Sequence, residues 1–348
     1  MTPFRQLTLL AAFLLLASAA RSQYDFSETA ALISRHQRDL GGRVAAMISR
    51  GGRIIYQGSW GNMDTARVIP IASCSKWLSA ALVMTFVDEG RLSLEDSIGR
   101  YLPEFTRYGK GGILIKHCLS HTTGLESEPL TLLGIWKESR YPSLEAQVNE
   151  AAVHKKLLAL PGTEFRYSSI GLNIAGRILE VISHQGFEEI FQQRIARPLG
   201  MEHTGFTRGG KAVNPSGGAH STPADYMRFL EMILGQGSYH GRRILSPGAV
   251  SRMQAPSTTL PMIRYAPQGA QGFNYAFGEW IQETGADGSV RVVTSPGAFG
   301  SWPYVDNCRG YCCLFFVQKF LIDEKTKDIY LALKKTIDRQ FPPGCSPH

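Results

Sequence analysis

Between Ser73 and Asp88 lies a stretch that a folded domain has little choice but to bury. Trp77, Leu78, Ala81, Leu82, Met84 and Phe86 fall at helical spacing, and too few polar residues lie between them to form a solvent face. A helix that is apolar all round belongs at the centre of a domain. Gly90 supplies its stop. The chain has enough material to surround it: 348 residues, 43% of them hydrophobic and 19% charged, an ordinary globular composition that excludes a disordered or coiled-coil protein. The formal charge of +8 is spread along the chain without a Lys/Arg stripe, so nucleic acid is not an expected partner.

The start of the chain reads differently. Arg5 precedes an apolar run from Leu9 to Ala17, followed by small residues through Ala20 and Ser22. This pattern predicts a secretory signal peptide over residues 1–22, with cleavage after Ser22 (Ala19 also fits) and a secreted or periplasmic mature domain over 23–348. The run is too short for a stable membrane span, and no later segment offers one. An oxidising compartment favours disulfides among Cys308, Cys312, Cys313 and Cys345, with Cys308 to Cys312 or Cys313 as a link across a hairpin. The sequence leaves the pairing open. Cys74 and Cys118 read as buried thiols.

Residues 43–49 and 53–58 read as a β-hairpin about Arg50-Gly51-Gly52. Helices are predicted over 169–183 and 225–234, the latter with Thr222-Pro223 at its start. Strands return at 273–282 and 290–294 around Ala286-Asp287-Gly288, and at 310–319, before an amphipathic helix over 323–338. Strands at both ends with helices between predict an α/β (α+β) fold: one antiparallel sheet built from the two chain ends and flanked by helices. The α/β part spans about 23–95 and 270–348, and a mainly helical region over about 96–269 is inserted in it. A ligand site is expected at the seam.

The leading chemical candidate is Ser73-Cys74-Ser75-Lys76, the sole S-x-x-K of the chain, at the start of the buried helix. Residues three apart share a helix face. A serine hydroxyl needs a neighbouring base to become a nucleophile, and a lysine in a buried setting can serve. Tyrosines in a Y-x-[NS] context are Tyr141 and Tyr167, and Tyr167-Ser168-Ser169 at a helix start is the better anchored. Ser295-Pro296-Gly297-Ala298 forms a glycine-containing loop or strand edge that lets a substrate approach backbone. An N–H there, with that of Ser73, would complete an oxyanion hole. His117 and His121 have a metal-compatible spacing but no H-E-x-x-H motif and no third ligand, so no metal is assigned. No G-x-S-x-G elbow, G-x-G-x-x-G or Walker loop is present, which leaves α/β-hydrolase and nucleotide chemistry without support.

In order and context these segments resemble the serine β-lactamase and penicillin-binding-protein superfamily, in particular the class C β-lactamase-related group with its D-alanyl carboxypeptidases and family VIII esterases. The resemblance runs from about Phe26 to Asp338. It also takes in Phe86 to Asp96, Leu119-Ser120-His121-Thr122-Thr123-Gly124-Leu125 and Arg197-Pro198-Leu199-Gly200-Met201. It implies a β-lactamase/transpeptidase-like fold and a serine hydrolase that needs no cofactor. Ser73 would form an acyl-enzyme, Lys76 and Tyr167 would handle its proton, and Ser169, Ser295, Gly297 and Ala298 would meet the substrate. Ser295 stands where the third motif carries Lys or His, and Ser169 where the second carries Asn. Loss of that cation and amide favours an esterase over an efficient β-lactamase. A D-alanyl carboxypeptidase, a β-lactamase or a non-catalytic penicillin-binding-like module are the alternatives. The expected partner is a small ester, peptide or β-lactam-like molecule, and the oligomeric state stays open.

Overall fold

The structure is a computed structural model describing residues 24–127, 141–207, 212–319 and 322–345. The signal-peptide reading lies outside the described residues. Helix α1 (Ser27–His36) precedes the hairpin β1 (Val44–Arg50) and β2 (Arg53–Trp60), and the buried helix is α2 (Ser75–Asp88). The middle of the chain supplies α3 (Leu144–His154), α4 (Ile170–Ser183) and α5 (Pro223–Leu234). Five strands follow: β3 (Asn274–Tyr275), β4 (Trp280–Thr284), β5 (Val290–Thr294), β6 (Trp302–Asp306) and β7 (Tyr311–Val317). Helix α6 (Glu324–Asp338) comes last.

The seven strands form one antiparallel sheet in the order β2-β1-β7-β6-β5-β4-β3. The two chain ends join where β1 pairs with β7, Val44 opposite Val317 and Arg50 opposite Tyr311. Both faces of this sheet are covered. Val44, Ala46 and Ile48 pack with Phe315, Ile33 and Tyr330 in one core beneath α1 and α6. Ala45 and Met47 turn the other way, with Leu314 and Phe316, into the core that holds α2 and α5. A strand alternates its side chains, so β7 needs apolar residues throughout to serve both cores. Helix α2 is buried from Ser75 to Phe86, with Trp77, Leu78, Ala81, Leu82 and Phe86 at 0% exposure, and reaches the surface only at its end.

Three sequence expectations differ from the structure. The predicted strand 273–282 is two strands, β3 and β4, with Ala276–Glu279 turning between them. Gly278 makes that turn at φ +76°, and a Cβ there would stand 2.6 Å from the Lys76 carbonyl oxygen and 2.5 Å from the Ala80 Cβ. The chain bends because it must pass directly over α2. Strand β6 went unread because it contains Pro303, which has no N–H for a ladder. Its carbonyl accepts the Thr294 hydroxyl at 2.6 Å. Finally, Cys308 meets neither neighbour across the hairpin. It lies at disulfide distance from Cys345, Cα to Cα 4.9 Å. Cys312 and Cys313 are buried consecutive residues of β7, locked in the ladder opposite Ser49 and Ile48, so the C-terminal tail is what reaches Cys308.

Candidate active site

Ser73 sits in a single 3₁₀ turn, Ala72–Cys74, that feeds α2. Ala72 is held at φ +46°, a left-handed conformation that a residue with a Cβ keeps only where its surroundings impose it. Those surroundings are polar and specific. The Ile71 N–H donates to the Ala219 carbonyl at 2.9 Å. The Ser75 hydroxyl donates to the Ala72 carbonyl and accepts the Ala219 N–H at 3.0 Å. The Tyr226 hydroxyl, from α5, donates to the Cys74 carbonyl at 2.9 Å. The serine is thereby fixed from both sides.

Lys76, one turn on, is 2% exposed. Its Nζ donates to Ser73 Oγ at 3.3 Å and to the Ser216 carbonyl at 2.8 Å, and lies 4.7 Å from the ring centroid of Tyr167. Tyr167 stands between the short strand Phe165–Arg166 and the start of α4, with its N–H donating to the Tyr265 carbonyl at 3.1 Å. Its ring packs against those of His121 (4.6 Å) and Trp280 (5.3 Å). Burial pushes its hydroxyl pKa up, while a hydrogen bond with Ser73 works in the opposite direction. The structure thus brings Ser73, Lys76 and Tyr167 together, a hydroxyl between an amine and a phenol, as nucleophilic acyl chemistry requires. Tyr141 lies elsewhere, just ahead of α3.

The two histidines have other work. His117 Nδ1 accepts the Leu114 N–H at 3.2 Å. His121 Nε2 pairs with the Tyr275 hydroxyl at 3.1 Å. Burial, with the Lys76 charge adding to it, holds His121 well below the ordinary imidazole value and therefore neutral. Among the described residues no group of three or more His, Cys, Asp or Glu gathers as a metal would need.

A cavity of about 50 Å³ opens at Ser73, and Tyr167, Trp280, Pro296, Gly297, Ala298, Pro267, Gly269, Ala270 and Ile322 also line it. Gly297 is obligatory there, since a Cβ would collide with the Ile71 carbonyl beside the serine. Ser295 is not on this wall. Its hydroxyl donates to the carbonyls of Gly278 (3.0 Å) and Ser73 (3.4 Å), and the residue is 2% exposed. Ser295, expected to meet substrate, lies just past the end of β5 with its side chain turned inward toward the Ser73 turn. Ser169 occupies the N-cap position of α4 without making a side-chain cap bond.

Sequence reading missed the partners of Lys76 on other segments. Ser216 supplies the carbonyl, and its N–H is held by Asn173 Oδ1 at 3.0 Å. The one available signal was Asn173 itself, a polar residue among Leu172, Ile174 and Ile178 on the buried face of α4. The lining from 267–270 and 322 carried none.

Comparison with known proteins identifies the family and the fold. A family model described as Beta-lactamase matches residues 34–336. Protein Rv1367c of Mycobacterium tuberculosis (strain ATCC 25618 / H37Rv) is 26% identical over 327 residues, covering 74% of this chain and 78% of its own. The D-alanyl-D-alanine-carboxypeptidase/endopeptidase AmpH of Escherichia coli (strain K12) is 27% identical over 201 residues, about half of each chain. A solved structure from Bacteroides dorei DSM 17855, provisionally named a β-lactamase, superposes with TM-score 0.79 at 30% identity, covering 91% of this chain and 98% of that one. EstCE1, a hydrolase with promiscuous acyltransferase activity, shares the fold at TM-score 0.73 and 19% identity, over 90% of this chain and 98% of its own. The chain belongs to the β-lactamase family and is a serine hydrolase of that fold.

Proposed function

We propose that this protein cleaves esters of short, uncharged acyl groups through an acyl-enzyme on Ser73. The observation that carries the reading is the buried contact between Lys76 Nζ and Ser73 Oγ at 3.3 Å, at the wall of a small cavity shared with Tyr167. Ser73 Oγ attacks the acyl carbon, and its proton passes to the Lys76–Tyr167 pair. The N–H groups of Ser73 and Ala298 receive the negative oxygen. Collapse breaks the bond to the leaving alcohol, which takes the proton. Water then repeats the sequence on the acyl-enzyme, releasing the acid and restoring Ser73.

The cavity argues for the substrate class. At about 50 Å³ the cavity beside Ser73 is narrow, which suits a short acyl group better than a bulky one. None of its described lining residues is charged, so a substrate carboxylate would enter without a salt-bridge partner. AmpH acts as a carboxypeptidase/endopeptidase by name, and this lining favours neutral esters over such substrates. We further propose export, on the basic-apolar-small start of the chain and the Cys308–Cys345 pair.

The test is labelling with a fluorescent fluorophosphonate and, separately, a fluorescent penicillin, followed by mapping of the modified residue. Fluorophosphonate on Ser73 with weak penicillin labelling is the expected result. Label on another residue, or stronger penicillin labelling, overturns the reading.

A further inference from the structure

Lys76 is held by an atom that belongs to none of the sequence motifs. The Ser216 carbonyl takes its proton donor at 2.8 Å, closer than Ser73 Oγ at 3.3 Å. Ser216 lies in a turn over 215–217, where the N–H groups of Gly217 and Gly218 donate to the Asn214 carbonyl at 3.2 and 2.8 Å, and other elements clamp the segment as well. Its N–H is shared by Asn173 Oδ1 and Asn214 Oδ1, both at 3.0 Å. The neighbouring Pro215 carbonyl accepts the Ser79 hydroxyl, from α2, at 2.6 Å. Asn173 is in turn secured by donating Nδ2 to Gln147 Oε1, from α3, at 3.1 Å. A buried amide costs free energy unless both its ends are satisfied, and here both are.

The location of Asn173 matters as much as its bonds. It stands at 2% exposure in the first turns of α4, the helix whose start also places Tyr167. One helix end therefore sets two of the groups around Ser73. It positions the phenol directly and the amine through Ser216.

We propose that Asn173 is a positioning residue for Lys76, fixing Ser216 so that its carbonyl keeps the amine within reach of Ser73 and Tyr167. This rests on the reading of Lys76 as the proton acceptor. A carbonyl that accepts from an ammonium stabilises the charged form, so displacing Ser216 lowers the proton affinity of Lys76 as well as misplacing it. Tyr167, His121 and Cys74 also face Lys76. Burial raises the tyrosine and the thiol and lowers the histidine, so all three are uncharged at neutral pH.

The experiment follows kcat, KM and the pH profile of kcat/KM for p-nitrophenyl acetate with the full chain. Asn173→Leu removes the acceptor at similar volume. It should lower kcat by roughly 10–100-fold with KM within about twofold, and move the acid limb to lower pH by about one unit. Asn173→Asp keeps an acceptor for the Ser216 N–H and adds negative charge, so it should recover most of kcat and move the limb to higher pH. If the leucine variant does not fold, the aspartate variant alone decides, because its limb must rise. Limbs unmoved in every folded variant, with losses confined to melting temperature, overturn the proposal. Lys76→Ala run in parallel separates the two ideas: an active alanine variant sinks the proton-acceptor reading itself, whereas an inactive one with unmoved Asn173 limbs sinks only the positioning role.

Discussion

The Ser295 hydroxyl donates to the Ser73 carbonyl, 3.4 Å away, and to the Gly278 carbonyl at 3.0 Å. The end of β5, the turn before β4 and the serine-bearing turn are thus tied at one point. A side chain engaged in this way helps to fix the site's walls.

Replacing Ser295 by Ala should therefore destabilise the protein by about 1–2 kcal/mol, the cost of a lost buried hydrogen bond. The ratio of kcat/KM for p-nitrophenyl acetate to that for a chromogenic cephalosporin should stay unchanged. Urea unfolding and the two assays check this. A tenfold change in that ratio would mean that Ser295 reads the substrate after all.

Ser73→Ala should reduce ester hydrolysis to background, a loss on the order of 10⁶-fold for an essential nucleophile. Lys76→Ala and Tyr167→Phe should each cost roughly 10²–10⁴-fold in kcat, and their double variant far less than the product. Circular dichroism establishes that each variant is folded, and single-turnover rates supply the numbers. Multiplicative losses would show that the two side chains act separately.

The acyl pocket should be enlargeable from one side. Ile322 is one of the apolar residues that line the cavity with Ser73. Ile322→Ala should raise kcat/KM for a butyrate ester relative to an acetate ester by roughly tenfold, the value of a methylene or two in an apolar pocket. An unchanged chain-length profile would place the acyl group elsewhere.

Glu279 sits in the β3–β4 turn at 0% exposure, and neither carboxyl oxygen has a hydrogen-bond partner. Burial raises its pKa well above the ordinary carboxylate range. In the unfolded chain it ionises near ~4.3. Above that pH the unfolded state gives up a proton that the folded state keeps. The stability is complete below pH ~4.3 and is lost as pH rises through the folded value, at about 1.4 kcal/mol per pH unit. Glu279→Gln should remove this slope, so that in urea unfolding the variant gains on the wild type as pH rises from 5 toward the folded value. Parallel stability curves for the two proteins would contradict it.

Much of this protein was legible in its sequence, because the relevant signals are local. An apolar stretch at helical spacing as long as Trp77–Phe86 calls for a buried helix, and α2 is buried over that stretch. The Thr222-Pro223 start of α5 and the Asp323 start of α6 announce themselves by capping chemistry, with each side chain accepting an N–H three residues on. Ser73, Lys76 and Tyr167 stand out in the sequence because short motifs carry them, and the structure brings the three together. Tertiary structure decided whatever depends on segments far apart in the chain. Ser295 points inward because β5 ends against the Ser73 turn, and Cys308 meets Cys345 because the tail folds back while β7 locks Cys312 and Cys313. Lys76 is held by Ser216, 140 residues away, through a backbone carbonyl that every residue possesses. A carbonyl has no sequence signature, so only packing reveals which one faces the amine.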